Sequence, residues 1–394
     1  MTSTERKFTS VEICAGAGGQ AVGLHNALFK HLALIEIDKH ACATLRKNVT
    51  ENEEWNGCEV IEEDLKGLDL NDLKKNLRLK LGLDEDEKFE ESLDLLAGGV
   101  PCPPFSVAGK QLGQDDERDL FPTMLKMVKS LQPKAVMIEN VRGLLDKKFE
   151  SYCDGIEKDL KELGYEKCFW DILEAKDFGV PQLRPRAILV AMKGQYAKHF
   201  RWTKRPSIPG RTVAEALESS MRDRFDSVDD PRADAAYADW HQKASRGVAP
   251  TVVGGSKKHG GADLGPTRAK KAWGELGVCG LGVANDPDEM VDKERDLFAQ
   301  KGPKLTVRQA ATIQGFPDSW KFHGRKTAAY RQVGNAFPPP VAQAVGEWIA
   351  AALEAGSEED GSLGEIEPPV VVQSALPGPQ SRDRLSDLES AVVG

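Results

Sequence analysis

A cysteine held between prolines is the residue of this chain best suited to nucleophilic chemistry. Cys102 lies in the stretch GGVPCPPFS at residues 98–106, directly after the apolar run at residues 93–97. The neighbouring prolines fix their own φ angles and remove backbone donors, so the segment cannot continue a strand or lie inside a helix. We therefore expect the thiol on a rigid loop just beyond a strand end, where open α/β sheets carry their chemistry. A buried structural cysteine is the alternative.

A carboxylate and two guanidinium groups are expected at the same edge of the sheet. Glu139 ends the strand candidate KAVMIENV, and Arg184 and Arg186, in QLRPR, precede the strand candidate AILVA. Because the carboxyl ends of neighbouring parallel strands meet at one edge, Glu139 should lie beside the Cys102 loop. A thiol with a carboxylate and arginines is typical of nucleophilic attack with stabilisation of the developing charge.

A glycine-rich turn near the start of the chain indicates a cofactor site. Gly16, Gly18 and Ala21 satisfy the pattern G-x-G-x-x-A between a strand and a helix candidate, and Glu36 follows at the end of the second strand candidate. Such glycines let backbone N–H groups approach a ligand, and the carboxylate accepts from ribose hydroxyls. The pattern predicts an adenosine-containing cofactor, which leaves NAD, FAD and S-adenosylmethionine open, and a tight turn without a ligand is the alternative. Asp64, at the third strand end, is a candidate to accept from an adenine amino group, and a solvated acid is the alternative.

The order of the elements predicts an α/β fold with a second, smaller domain. Strands alternate with helices through residues 1–195, which is typical of a doubly wound, mainly parallel, Rossmann-like sheet. Residues 196–304 have weak periodicity and predict a smaller irregular domain. Periodic helical sequence returns at residues 305–354 and is expected to complete the first domain. Residues 355–394 are acidic and poor in large apolar residues, which predicts a disordered tail.

Composition limits the cellular setting and the partners. No apolar run approaches the ~18 residues of a membrane span, and the polar start of the chain predicts a cytoplasmic protein with no membrane association. Seven scattered cysteines without a C-x-x-C pair indicate reduced thiols and no metal site. The net charge is −9, and residues 355–394, with eight acidic residues and two arginines, contribute −6 of it. Residues 241–275 are instead basic and interleaved with tryptophan, which favours a phosphate-contacting surface over a solvated loop face.

Six stretches together resemble the ordered motifs of the cytosine-C5 DNA methyltransferases of bacterial restriction-modification type. They are VEICAGAGG, GGVPCPPFS, ENV, QLRPR, RQAATIQGFP and QVGNAFPPP, and they cover nearly all of residues 8–354. Residues 196–304 fall where that family has its target-recognition domain. Cys14 stands where the family usually has an aromatic residue.

The resemblance implies a reaction. A methyl group would pass from S-adenosyl-L-methionine to C5 of cytosine in a specific sequence of double-stranded DNA, after the base has flipped out of the duplex. Cys102 would add to C6 of the ring, and Glu139, Arg184 and Arg186 would stabilise the charge that develops. A free thiol has a pKa of roughly 8.5 and therefore needs such local help.

The resemblance also implies binding residues and partners. The implied cofactor set is Cys14, Ala15, Gly16, Gly18, Gly19, Glu36, Ile37, Asp64, Pro101 and Asn335. The implied DNA-binding set is Ser106, Thr251, Lys257 and Lys258. Arg308 is implied to brace the recognition domain from within. The protein is expected to act as a monomer, with a cognate restriction endonuclease as a companion acting on the same site.

Two alternative functions stay open on the sequence. One branch of the same family methylates cytosine-C5 in tRNA, although this chain lacks the Cys-Phe-Thr sequence of that branch in its recognition segment. A nicotinamide-dependent oxidoreductase would account for the glycine pattern but would leave PCPPFS and ENV unexplained.

Overall fold

The computed structural model describes residues 7–84, 86–101, 119–203, 211–254 and 262–359. Seven strands form one sheet in the order β3-β2-β1-β4-β5-β7-β6. Their bounds are β1 Phe8–Ile13, β2 Phe29–Glu36, β3 Glu59–Glu62, β4 Leu95–Gly98, β5 Ala135–Val141, β6 Tyr165–Glu174 and β7 Pro185–Lys193. Strands β1 to β5 pair in parallel, whereas β7 runs antiparallel to both β5 and β6. The predicted doubly wound, mainly parallel sheet is confirmed.

Helices cover both faces of the sheet. Those of the first 203 residues are α1 Gly19–Asn26, α2 Lys39–Glu51, α3 Leu70–Leu81, α4 Phe121–Leu131, α5 Glu150–Glu162 and α6 Gly194–Ala197. Those after residue 210 are α7 Val213–Asp226, α8 Ala233–Ala244, α9 Thr267–Glu275, α10 Lys293–Asp296, α11 Val307–Ile313, α12 Lys326–Asn335 and α13 Pro339–Glu359. Side chains of α1 and α13 pack with one face of the sheet, and those of α3, α4 and α5 pack with the other. Successive residues of 95–97 in β4 and of 135–138 in β5 therefore enter opposite cores, and these residues are all apolar.

Helices α1 and α13 approach each other closely at Gly23. A Cβ atom on Gly23 would lie 2.3 Å from the Pro339 carbonyl oxygen and 2.5 Å from Ala342 Cβ. We expect Gly23→Ala to lower the free energy of unfolding by about 1–3 kcal/mol, because backbone atoms must move apart. Gly155→Ala in α5 is the matched control: its Cβ would meet nothing within 4 Å, and it should stabilise by roughly 0.5–1 kcal/mol. Denaturant unfolding measures both, and equal effects would contradict the close crossing.

Residues 196–304 contain more helix than their weak periodicity predicts. Helix α7 begins with a capping box in which Thr212 and Glu215 each bond the other's backbone N–H. Its apolar residues recur every fourth position, at Val213, Leu217, Met221 and Phe225, and all four are buried. The capping box and this spacing are visible in the sequence. The buried core of this region is continuous with residues of α11 and α12, so the two parts of the chain share packing.

The last helix extends into the range expected to be disordered. Helix α13 continues to Glu359, whose side chain pairs with Lys198 and lies 3.2 Å from His199 Nε2. Residues 355–359 are therefore helical, and residues 360–394 lie outside the described part of the chain. Among the described helices, none combines the length and the apolar character needed to cross a membrane.

Candidate active site

A cavity of about 700 Å³ opens at the carboxyl ends of the central strands. Its walls come from the turn after β1, the ends of β2 and β5, the segment after β4, and the link between α12 and α13. This is the position at which open α/β sheets bind ligands, because the chain reverses direction across the sheet between β1 and β4. The volume lies within the range of small-molecule and cofactor sites.

Glu36 is fixed at the end of β2 by three backbone N–H groups. Its Oε2 accepts from Gly16 N at 2.8 Å. Its Oε1 accepts from Ile37 N at 2.9 Å and from Asp38 N at 2.8 Å. The carboxylate therefore joins the glycine turn to the strand end and holds both against the cavity, where the sequence predicted a ribose contact.

Nine of the ten predicted cofactor residues line this cavity: Cys14, Ala15, Gly16, Gly19, Glu36, Ile37, Asp64, Pro101 and Asn335. Gly18 is set apart from the wall. It has φ 86 and serves the left-handed turn that starts α1, and a Cβ there would lie 2.6 Å from Trp320 Cζ2. The structure therefore gives Gly18 a role in turn geometry and packing rather than in the cavity wall.

Cys14 is a cavity-lining thiol with a left-handed backbone, at φ 51. Burial, with the nearby charges of Glu36 and Asp64, raises its pKa to about 12. The thiol is therefore protonated near neutral pH, and this residue offers the cavity a small neutral side chain. The cavity therefore has a thiol where the family usually has an aromatic ring.

Two polar residues that line the cavity, Glu12 and Gln20, were not predicted from the sequence. Glu12 on β1 is fully buried, and Gln20 Nε2 donates to its Oε2 at 3.4 Å. His31 Nδ1 lies 3.6 Å from Glu12 Oε1. The sequence did hold a sign of this cluster, because an acid inside the otherwise apolar strand VEI needs a buried partner if both faces of the sheet are covered.

Glu12 should make stability depend on pH. Burial raises the pKa of its carboxyl from 4.5 to about 8, so the folded chain holds the proton more tightly than the unfolded chain. The stability that this protonation contributes is present in full below about pH 4.5 and is lost as pH rises through about 8. Glu12→Gln should remove this slope, which is up to about 1.4 kcal/mol per pH unit. Denaturant unfolding across this window tests the expectation, and parallel profiles for the two proteins would contradict it.

Glu139 and Arg186 form a partly buried ion pair at the edge of the cavity. Arg186 Nε lies 2.7 Å from Glu139 Oε1, and the two side chains are 13% and 14% exposed. The strand pairing explains why Arg186 and Glu139 lie side by side. Strand β7 is antiparallel to β5, so Arg186 at the start of β7 lies opposite Val141 at the end of β5. Glu139 lines the cavity. The sequence prediction that these two groups lie together at one sheet edge agrees with this geometry.

Arg184 is directed away from the cavity. Its side chain is buried, and it donates to the carbonyl oxygens of Val252, Gly334 and Ala336 at 2.7, 2.7 and 2.9 Å. The prediction that Arg184 stabilises charge during the reaction is therefore corrected, because its guanidinium group bonds backbone carbonyls and does not line the cavity. Arg184 precedes β7 and turns inward between loops, whereas Arg186 within β7 faces Glu139.

Thr251 and Arg308, two further predicted residues, each donate a side-chain hydrogen bond to a backbone carbonyl oxygen. Thr251 Oγ1 donates to Leu183 O at 2.6 Å, which fixes it to the QLRPR stretch. Arg308 donates to Trp320 O at 2.9 Å, next to its own helix. The bracing expected of Arg308 is provided by Arg224, which donates to Lys304 O at 2.7 Å and to Gln309 Oε1 at 2.9 Å.

Four predicted site residues lie outside the described residues: Cys102, Ser106, Lys257 and Lys258. The described chain on either side of the first two reaches the cavity. Pro101 and Leu120 both line it, and Leu120 N donates to Pro101 O at 3.4 Å. Asp119 Oδ1 and Oδ2 accept from Tyr152 Oη at 2.8 and 2.7 Å. The described residues on both sides of 102–118 thus lie at the cavity wall.

The strand order, the antiparallel β7 and the cavity define a Rossmann-like α/β protein with a site for an adenosine-containing cofactor. Comparison with known proteins identifies the family. The family model of the C-5 cytosine-specific DNA methylases matches residues 8–351, and the chain belongs to this family.

Curated relatives agree with this family over most of the chain. The Type II methyltransferase M.NaeI of Lentzea aerocolonigenes is 47% identical over 350 residues, which are 88% of this chain and 76% of that protein. The Type II methyltransferase M.NgoMIV of Neisseria gonorrhoeae is 46% identical over 353 residues, which are 88% of this chain and 99% of that protein. The protein is thus a DNA cytosine-C5 methyltransferase that uses S-adenosyl-L-methionine, and the tRNA and oxidoreductase alternatives are not favoured.

Solved structures share the fold. A putative DNA modification methyltransferase encoded within a prophage of E. coli superposes with a TM-score of 0.56 at 20% identity, covering 88% of this chain and all of that one. A DNMT2 variant of Spodoptera frugiperda gives a TM-score of 0.56 at 16% identity, over 87% of this chain and all of that one.

Proposed function

We propose that this protein methylates cytosine within one short sequence of duplex DNA, as the modification enzyme of a restriction-modification pair, with Cys102 as the nucleophile. The match that supports this most is the similarity to two Type II methyltransferases over 88% of the chain. A companion endonuclease would cleave the same sequence when it is unmethylated. We also propose that it acts as a monomer on DNA in the cytoplasm.

The cavity fits the cofactor. Glu36 presents a fixed carboxylate to it, and Asp64 and Ile37 line the same end. A Cβ on Gly16 would meet nothing within 4 Å, so the backbone turn faces open space. Glu36 would hold the ribose hydroxyls and Asp64 the adenine amino group, and Asn335 and Pro101 would border the methionine end. Bound S-adenosylmethionine supplies an electrophilic methyl group to the site.

The protein residues prepare the cytosine for reaction. Carbon C5 of the ring is a poor nucleophile, and addition of the Cys102 sulfur to C6 makes it electron-rich. Negative charge then develops at N3, and the Glu139 carboxyl, held by Arg186 at 2.7 Å, would neutralise it by donating its proton to N3 while accepting a hydrogen bond from the exocyclic amine. As C5 takes the methyl group, N3 returns this proton to Glu139. A water molecule then takes the proton from C5, the electrons of that C–H bond re-form the C5–C6 double bond, and the C6–sulfur bond breaks to release the Cys102 thiolate.

Bisulfite sequencing tests the substrate and the specificity together. Unmethylated phage DNA, incubated with the protein and the cofactor, should show protected cytosines at one short sequence and at nearly every copy of it. Transfer of labelled methyl groups to tRNA and none to this DNA would overturn the proposal. Protected DNA should also resist cleavage by an extract of the source organism, while unprotected DNA is cut at the same sequence.

A further inference from the structure

Arg184 connects two distant parts of the chain through a single guanidinium group. Its Nη1 donates to Val252 O at 2.7 Å, and its Nη2 donates to Gly334 O at 2.7 Å and to Ala336 O at 2.9 Å. Val252 belongs to residues 249–254, which we call the recognition segment. The other two acceptors flank Asn335, and Asn335 and Ala336 line the cofactor cavity.

The cation is buried without an ion-pair partner among the described residues. Its side chain is 1% exposed, and burial lowers its pKa well below the ordinary arginine value. Desolvating a charge disfavours folding, and an apolar side chain of similar length would pack in the same space without that cost. A planar fork with several donors, in contrast, fixes the relative position of the carbonyls that it bonds. The contribution of Arg184 is therefore to fix the relative position of the two segments.

The recognition segment and the cavity wall touch directly. A Cβ on Gly254 would lie 2.1 Å from Asn335 Oδ1, and one on Gly334 would lie 2.4 Å from Gly254 N. On its other side the segment is held by Gln182, whose Oε1 accepts from Val252 N at 2.7 Å. A shift of the recognition segment must therefore move Asn335 and the wall beside it.

We propose that Arg184 is a positioning residue that couples the binding of DNA to the binding of the cofactor. It does so by holding the recognition segment and residues 334–336 in one arrangement. The proposal rests on the proposed function, and on the DNA contact that the family resemblance implies for Thr251 within the recognition segment. Bound DNA then favours the arrangement that binds the cofactor more tightly. By linkage, bound cofactor raises the affinity for DNA by the same factor.

Calorimetric titration of S-adenosylhomocysteine, with and without a short duplex containing the mapped target sequence, measures this coupling. The wild-type protein should bind this product roughly 10-fold more tightly with the duplex present, and Arg184→Met should show a difference below about 2-fold. Arg184→Lys keeps the charge but lacks the fork, and it should also lose most of the coupling. The matched control is Arg186→Met, which should transfer methyl groups slowly yet keep the full coupling, because Arg186 pairs with Glu139 instead.

The outcomes separate this inference from the proposed function. A wild-type protein that binds no duplex would contradict the proposed function. Coupling that is absent from the wild type, or unchanged in Arg184→Met, would overturn the inference alone. If Arg184→Met fails to fold, Gly254→Ala tests the same contact from the other side: its Cβ must displace Asn335, and retained coupling in a folded Gly254→Ala protein would also overturn the inference.

Discussion

Replacing Cys102 by serine should reduce the rate of methyl transfer by roughly four orders of magnitude or more. A serine hydroxyl is hardly ionised near neutral pH, whereas a thiol is a few per cent thiolate and intrinsically more nucleophilic. Binding of the cofactor and of DNA should stay within a few-fold, because both substrates contact other residues. Transfer of labelled methyl groups to the mapped duplex, with both ligands saturating, measures the rate.

A second thiol provides the control for this substitution. Cys168 on β6 is a free cysteine on a strand that does not reach the cavity. Cys168→Ser should therefore transfer methyl groups at the wild-type rate. A wild-type rate of methyl transfer by Cys102→Ser would instead show that Cys102 is not the nucleophile.

Glu139→Gln should lower kcat by about 10²–10⁴-fold with little change in the KM for the cofactor. The amide cannot transfer a proton to N3 as a carboxyl group can, and it leaves the Arg186 cation beside the cavity without its charged partner. Arg186→Met should also lower kcat. Because the two side chains act as one unit at 2.7 Å, the double variant should be about as slow as the slower single variant.

The control for the pair is an ion pair away from the cavity. Lys167 Nζ lies 2.7 Å from Glu157 Oε1 on the surface, and Glu157→Gln should leave kcat unchanged and stability within about 0.5 kcal/mol. Fully additive losses in the Glu139 and Arg186 variants would show that the two residues act independently and would contradict their action as a pair.

The alternation of strands and helices was sufficient to predict the sheet and the edge that carries the cavity. Glu139 and Arg186 meet because β7 runs antiparallel to β5, so that the start of β7 lies at the edge where β5 ends. The sequence placed them together without the direction of β7, and a parallel β7 would have put Arg186 at the opposite edge. The role of Arg184 was not accessible in the same way. It lies just before β7, where no strand alternation dictates its direction, and its acceptors are 68, 150 and 152 residues away in the sequence.

Burial and local capping explain the other differences. The burial of Glu12 was not predicted. A charged residue in a strand ordinarily faces solvent, whereas this sheet is covered on both faces. In residues 196–304, the turn residues obscured the four-residue spacing of α7, although the capping box at Thr212 marked its start. Gly18 fits the glycine pattern, but its positive φ serves the turn itself.

The bond between the Cys102 sulfur and C6 of the base can be trapped. Duplex DNA that contains the mapped sequence with 5-fluorocytosine at the target position should accept the methyl group and then stall, because fluorine cannot leave as a proton does. Mass spectrometry after proteolysis should find a methylated fluorocytosine on the peptide that spans residues 100–110, attached through Cys102. A stoichiometric reaction mixture with no cross-link on that peptide, or with one at another cysteine, would contradict covalent catalysis by Cys102.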